Sequence, residues 1–414
     1  MKAIIINIGD ELLIGQVTNF NASWMAEQLN TIGIEVLRIN VISDTEDEII
    51  SSLKQSVTLA DLVILTGGLG PTNDDITKKT LCRFFKTSLI FDTATYKDIV
   101  DLFVRRGLPV TEINKKQAEI PACCIPVRNL QGTAPGLWFE NKGKIVIATP
   151  GVPFEMKAMM TDPILSLLKE KMTGDVIVHK TVLTQGIGES FLADKIALWE
   201  NSLHQSVRLA YLPSPGIVRL RLTARGSDSK SLEKIIDNEI LKLYSIIGEN
   251  IYGYDTETLE LIVGKLLEQK NKTLATAESC TGGYIAHCIT KVPGSSSYYK
   301  GSVIAYSNKI KEGILGVKSE TLGRHGAVSE ETVKEMAVNV KEKFHADFSI
   351  AVSGVAGPDG GTPEKPVGTV WIAAASPCEV VAQKFSFGTN RSVNIERAAV
   401  NALNMLRKII LKYS

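Results

Sequence analysis

Apolar positions in this chain fall in short, nearly unbroken runs separated by amphipathic stretches. Ala3–Gly9 is a run of isoleucines interrupted only by Asn7 and closed by Gly9-Asp10-Glu11. Leu62–Thr66 is a second such run, closed by Gly67-Gly68-Leu69-Gly70-Pro71-Thr72-Asn73-Asp74-Asp75. Between them, Asn21–Asn30 and Glu46–Val57 carry helical patterns and Glu35–Ile42 a strand pattern. Strands alternating with helices of this length predict a parallel sheet with helices on both faces.

The texture changes near residue 169. Val176–Thr184 and Val218–Arg225 alternate apolar and polar positions, as half-exposed strands do, and Gly188–Leu198 and Ser231–Leu243 read as helices. This predicts a small α+β unit whose Arg208, Arg219, Arg221 and Arg225 form a solvated face. From residue 255 the α/β alternation returns. A helix at Leu259–Gln269 leads into the strand-like start of Thr273–Gly283, and strands follow at Gly301–Ala305, Phe348–Val352, Val367–Ala375 and Val380–Phe387. Helices are predicted at Glu330–Lys343, capped by Ser329, and at Arg391–Leu411.

A length of 414 residues implies two or three domains. Net charge is +1, which supplies no field for nucleic acid or an anionic membrane. No apolar run is long enough to span a bilayer. The six cysteines form no CxxC pair, so neither a disulfide framework nor a zinc site is indicated. The N-terminus lacks a signal-peptide cleavage pattern, and cytoplasm is the expected compartment.

Chemistry concentrates where strands end. Ligands of open α/β sheets bind outside the carboxyl ends of the strands, so Gly9–Glu11 and Gly67–Asp75 are expected to share a pocket. Gly67, Gly68 and Gly70 allow close approach of backbone to phosphate. Asp10, Glu11, Asp74 and Asp75 offer the hard oxygen ligands that Mg²⁺ or Mn²⁺ takes. In TLATAESCTGG (Thr273–Gly283), the glycines leave N–H groups free to face an anion or an amide oxygen. A helix over Thr281–Thr290 would put Ser279 or Thr281 near its N-terminus, where negative charge is favoured. Of the five histidines only His325 falls in a loop with a site-like context, so a Ser-His-Asp triad fits poorly. A Ser nucleophile activated by Lys or Tyr fits better, and such a lysine must be deprotonated by burial or nearby positive charge. The turn from Ser353 to Gly357 offers N–H groups for an oxyanion or phosphate. Cys280 is a rival nucleophile but has no histidine partner.

GDELLIGQVTNFNASW, TGGLGPTNDDITKKT, GTAPGLWFE and ATPGVPFEMKAM resemble the N-terminal domain of the competence/damage-inducible protein A (CinA) family, which resembles the molybdopterin-binding fold. GIGES and LPSPGIVRLRLTARG resemble the family's middle segment. TAESCTGG, PGSSSYYKGSVIAYSN, HGAVSEET and SGVAGPDGGTPEKPVGTVW resemble its C-terminal domain. The resemblance implies a molybdopterin-binding-like domain over 1–168, a small α+β linking domain over 169–254 and a CinA domain over 255–414. It implies that the first domain is an ADP-ribose pyrophosphatase dependent on a divalent metal (Mg, Mn or Co), with potassium also implicated. Asp10, Asn19, Gly67, Gly68, Gly70, Asp74 and Asp75 would line that site, with loops 132–136 and 149–151. Which carboxylate binds metal stays open. The resemblance implies that the last domain deamidates nicotinamide mononucleotide (NMN) without a cofactor, giving nicotinic acid mononucleotide and ammonia. Ser296 would be the nucleophile, Lys311 its base and Tyr306 a proton-transfer aid. Ser279, Thr281, Gly282, Ser353, Gly354, Gly357 and Arg391 would bind and orient the nucleotide. A homodimer with small-molecule partners, neither nucleic acid nor membrane, is expected. Two alternatives stand beside this: a first domain that only binds a nucleotide or pterin and regulates the deamidase, and a non-enzymatic role in competence or DNA repair.

Overall fold

The computed structural model describes all residues except 73, 74, 172–175 and 414. By internal contacts the chain forms two compact units, Met1–Val178 with Ala224–Glu233, and His179–Thr223 with Lys234–Ser414.

The first unit is built on a six-stranded sheet. Its strands are β1 (Lys2–Ile8), β2 (Glu35–Ile42), β3 (Leu62–Thr66), β6 (Ile125–Val127), β7 (Gly136–Asn141) and β8 (Lys144–Thr149); β4 (Leu89–Phe91) and β5 (Glu119–Pro121) pair separately. The order is β2-β1-β3-β8-β7-β6. β2, β1, β3 and β8 run parallel, as the alternation predicts. β7 alone is reversed, antiparallel to both its neighbours β8 and β6, a departure from an all-parallel sheet. Its cause is local: Lys142 and Gly143 have φ of 50° and 76°, the positive values that a two-residue hairpin turn needs.

The unbroken isoleucine run of β1 follows from burial on both faces. Ala3 and Ile5 enter one core with Ile64 and Ile147, against Met25 and Leu29 of the helix Phe20–Thr31. Ile4, Ile6 and Ile8 enter the opposite core with Leu65 and Val146, against Ile49 and Leu53 of the helix Glu46–Leu59.

A four-stranded sheet follows in the chain, from β9 (Val176–Gln185), β10 (Val207–Ser214), β11 (Ile217–Gly226) and β12 (Ile251–Tyr254), in the order β10-β11-β9-β12. β11 shows the predicted alternation, with Val218, Leu220, Leu222 and Ala224 buried and Arg219, Arg221 and Arg225 exposed.

The second unit's main sheet has five strands: β13 (Leu274–Glu278), β14 (Tyr299–Ile304), β15 (Phe348–Gly354), β16 (Thr369–Ala375) and β17 (Val380–Ser386). Their order is β14-β13-β15-β16-β17. β14, β13 and β15 are parallel, and β16 is antiparallel to both its neighbours, β15 and β17. Here too alternate residues feed two cores. Leu274, Ile350 and Ile372 pack with the helices Leu259–Gln269 and Arg391–Lys412, and Ala275, Ala351 and Ala373 with the helix Glu330–Lys343. The parallel arrangement brings the turns after β13, β14 and β15 to one edge, the usual place for a ligand.

Candidate active site

The turn after β13 is held by Glu278, whose function the sequence reading missed. This carboxylate is fully buried and accepts hydrogen bonds from the N–H groups of Gly283 (3.1 Å), Ile285 (3.0 Å) and Ala286 (2.8 Å). It satisfies N–H donors that a helix start leaves orphaned, and it places a negative charge where the helix dipole favours one. The helix is Tyr284–Thr290, three residues shorter at its start than expected, because Gly282 and Gly283 adopt φ of 60° and 99°. Neither Ser279 nor Thr281 caps it. An acidic residue closing an otherwise apolar strand, just before a Gly-Gly turn, was the available signal.

Lys311 lies on the short helix Asn308–Gly313 after β14 and is 1% exposed. Its Nζ donates to Ser279 Oγ at 3.0 Å and to the Ala305 carbonyl at 2.8 Å. Burial pulls its pKa down from the ordinary 10.5. An amine held out of water against a serine hydroxyl, with its charged form disfavoured by burial, is the arrangement that activates a nucleophile.

This pairing differs from the expectation that Lys311 serves Ser296. Ser296 is exposed, in the single turn Ser295–Ser297, and its hydroxyl has no hydrogen-bond partner among the described residues. The sequence showed a serine-rich loop but not which serine the fold turns toward the lysine. Tyr306 is 61% exposed, and its hydroxyl accepts from Arg391 Nη2 at 2.8 Å. Arg391, the first residue of the helix Arg391–Lys412, also donates through Nη1 to the Gly357 carbonyl at 2.7 Å. The guanidinium thereby joins the turns after β14 and β15.

Ser353 is buried and donates to the Ala327 carbonyl at 2.6 Å, which pins the end of β15 to a neighbouring loop. Thr281 Oγ1, on the same turn two residues after Ser279, is buried without a partner among the described residues. A Cβ at Gly354 would come within 2.7 Å of Val370 Cγ2, and one at Gly357 within 2.5 Å of Val367 Cγ1, so this turn tolerates only glycine. Cys280 is 7% exposed and burial pushes its thiol up to about 12, which suits a packing residue rather than a nucleophile.

In the first unit, β1 and β3 are adjacent, so Gly9–Glu11 and Gly67–Gly70 do emerge side by side. Gly67 and Gly68 have φ of 115° and 65°; a Cβ there would lie 2.2 Å from the Ile8 carbonyl and from Thr77 Oγ1 respectively. A Cβ at Gly70 would lie 2.4 Å from Asp75 Oδ2. Asp75 Oδ2 accepts from the Thr72 N–H at 2.8 Å and from its hydroxyl at 2.5 Å, so one carboxylate oxygen is committed to closing the turn. Asn19 caps the helix Phe20–Thr31 by accepting from Ala22 N–H at 3.1 Å, and Asp10 is exposed at the start of a single turn. Asp74 lies outside the described residues. Among the described residues no group of three His, Cys, Asp or Glu side chains converges as a metal cage would require. Lys78, which sequence reading passed over, borders the turn: burial lowers it to about 8 and its Nζ donates to the Gln117 carbonyl at 3.2 Å. Among the described residues no helix is long and apolar enough to cross a membrane.

Residues 4–170 match the family described as "Probable molybdopterin binding domain", residues 179–253 the damage-inducible protein CinA KH domain, and residues 256–410 the CinA C-terminal domain. The chain is 48% identical to a CinA-like protein of Cytophaga hutchinsonii, covering 98% of this chain and 97% of that one. It is 45% identical to a CinA-like protein of Flavobacterium psychrophilum, covering 100% and 99%. The crystal structure of a competence/damage inducible protein of Agrobacterium tumefaciens is 36% identical and covers 36% of this chain and 93% of that chain, with a TM-score of 0.36. By full-length relatives and by all three domain matches, this chain belongs to the CinA-like protein family.

Proposed function

We propose that the second unit hydrolyses the carboxamide of NMN to nicotinic acid mononucleotide and ammonia. One observation carries the reading: the buried Lys311 amine hydrogen-bonded to Ser279 Oγ. Neutral Lys311 takes the Ser279 proton while Oγ forms a bond to the carboxamide carbon. The tetrahedral oxyanion is received by N–H or hydroxyl donors of the turn, among which Thr281 Oγ1 has no competing partner among the described residues. The Lys311 ammonium returns a proton to the amide nitrogen, and ammonia leaves. Water then attacks the acyl ester with Lys311 again as base, releasing the carboxylate and restoring Ser279. Arg391 offers a planar fork to the 5′-phosphate and exchanges its bond to Tyr306 for phosphate oxygens.

The test is incubation of the full chain with NMN after metal chelation, following nicotinic acid mononucleotide by chromatography. Product supports the reading; its absence, with folded protein, refutes it.

A second reading concerns the first unit: binding and cleavage of ADP-ribose to AMP and ribose 5-phosphate. It is favoured by the glycine turn after β3, which no side chain could occupy and which suits close approach of a pyrophosphate. Dependence on a divalent cation belongs to this reading through Asp74 and its neighbours. AMP release from ADP-ribose, with and without added Mg²⁺, Mn²⁺ or Co²⁺, checks it.

A further inference from the structure

The helix Arg391–Lys412 carries a cation that neither reading uses. Arg407 is 7% exposed. Its Nε donates to Asn404 Oδ1 at 3.0 Å and its Nη1 to the Ile251 carbonyl at 3.3 Å. Both acceptors are neutral, and Nη2 has no protein partner among the described residues. A buried guanidinium without a carboxylate is costly unless something else compensates it. Burial accordingly lowers its pKa.

Arg407 lines a cavity of about 810 Å³ within the second unit, in the size range of small-molecule sites. Lys195, Lys408 and Lys412 line the same cavity, and none of them is ion-paired among the described residues. Four cations therefore face one carboxylate, Glu249. Neutralising a helix C-terminus accounts for Lys412, which sits in the last turn, but not for Arg407 or Lys195. The cavity also has an aromatic wall: Tyr244 lines it and is 55% exposed. A desolvated guanidinium, flanking ammonium groups and an open aromatic ring together match a phosphate attached to a flat heterocycle.

We propose that this cavity is a nucleotide site separate from the amide-hydrolysing centre, with Arg407 and the three lysines taking the phosphate and Tyr244 stacking on the base. The ligand class is a nucleoside 5′-phosphate.

The experiment is calorimetric titration of the full chain with AMP and, separately, with inorganic phosphate. The Lys195→Glu/Lys412→Glu variant changes exposed side chains only, so folding is preserved where Arg407→Ala could fail. AMP affinity at this site is expected to fall by at least about tenfold in that variant. NMN turnover without added AMP is expected to stay at the wild-type rate. Tyr244→Leu is expected to weaken AMP and leave phosphate unchanged, which separates a nucleotide site from a bare phosphate site. Equal AMP binding by wild type and the charge-reversed variant overturns the proposal, as does a wild type that binds neither probe. A single-stranded oligonucleotide that binds with steep salt dependence where AMP does not would reassign the surface to nucleic acid.

Discussion

Replacing Lys311 by methionine separates its chemical role from its packing. The side chains are similar in length, so the 1%-exposed site stays filled. Two hydrogen bonds disappear, those to Ser279 Oγ and the Ala305 carbonyl. A buried acceptor left unmade costs about 1–3 kcal/mol. Against this, the wild-type amine is held where burial disfavours its charge, and methionine removes that unfavourable term. The two effects oppose, so the net change in stability is within about 2 kcal/mol of zero. Catalysis has no such compensation: loss of the base should reduce NMN turnover by about 10²–10⁴-fold or more. The pH dependence gives an independent check. A lysine whose folded pKa lies below its unfolded value binds fewer protons in the native state, so stability rises with pH between the two values. Wild type should therefore gain stability relative to Lys311→Met as pH climbs toward the ordinary 10.5, and urea unfolding at several pH values measures the difference. A Lys311→Met protein that unfolds normally yet keeps turnover within tenfold of wild type would refute the assignment.

Ser279→Ala should match the loss in Lys311→Met, whereas Ser296→Ala should keep most activity; the reverse result in the ammonia-release assay would return the nucleophile to Ser296. Glu278→Ala strips a carboxylate from three N–H groups and should destabilise by about 3 kcal/mol in urea unfolding, with an unchanged midpoint counting against its capping role. Cys280→Ala should retain turnover, and the wild-type thiol, pushed up to about 12, should resist iodoacetamide at neutral pH, as mass spectrometry would report. Gly68→Ala sets a Cβ 2.2 Å from Thr77 Oγ1 at a φ of 65° and should lower both thermal stability and ADP-ribose affinity, read by calorimetry.

The strands were legible because burial on both faces leaves an unbroken apolar signature: Leu62–Thr66 and the helices Leu259–Gln269 and Glu330–Lys343 fall where the pattern puts them. The antiparallel β7 was not, since its direction rests on the backbone of Lys142 and Gly143 rather than on hydrophobic period. In the candidate site, residue types singled out Lys311 as a candidate base. They did not give the partner of Lys311, because Ser279 and Ser296 are equally serines, and only the fold buries one and exposes the other. Glu278 was passed over for a similar reason: an acidic residue acquires its role from the N–H groups that a three-dimensional turn aims at it.

That same carboxylate bears on how a turnover cycle ends. Amide hydrolysis converts a neutral carboxamide into a carboxylate at the point of reaction. The helix end next to Ser279 would otherwise welcome such an anion, but its N–H groups are already engaged by Glu278. Under the proposed amide hydrolysis, a nascent product carboxylate would meet a filled anion seat and a like charge one residue from Ser279. The turn would then discriminate between what enters and what leaves, and would disfavour inhibition by accumulated acid product without any moving part.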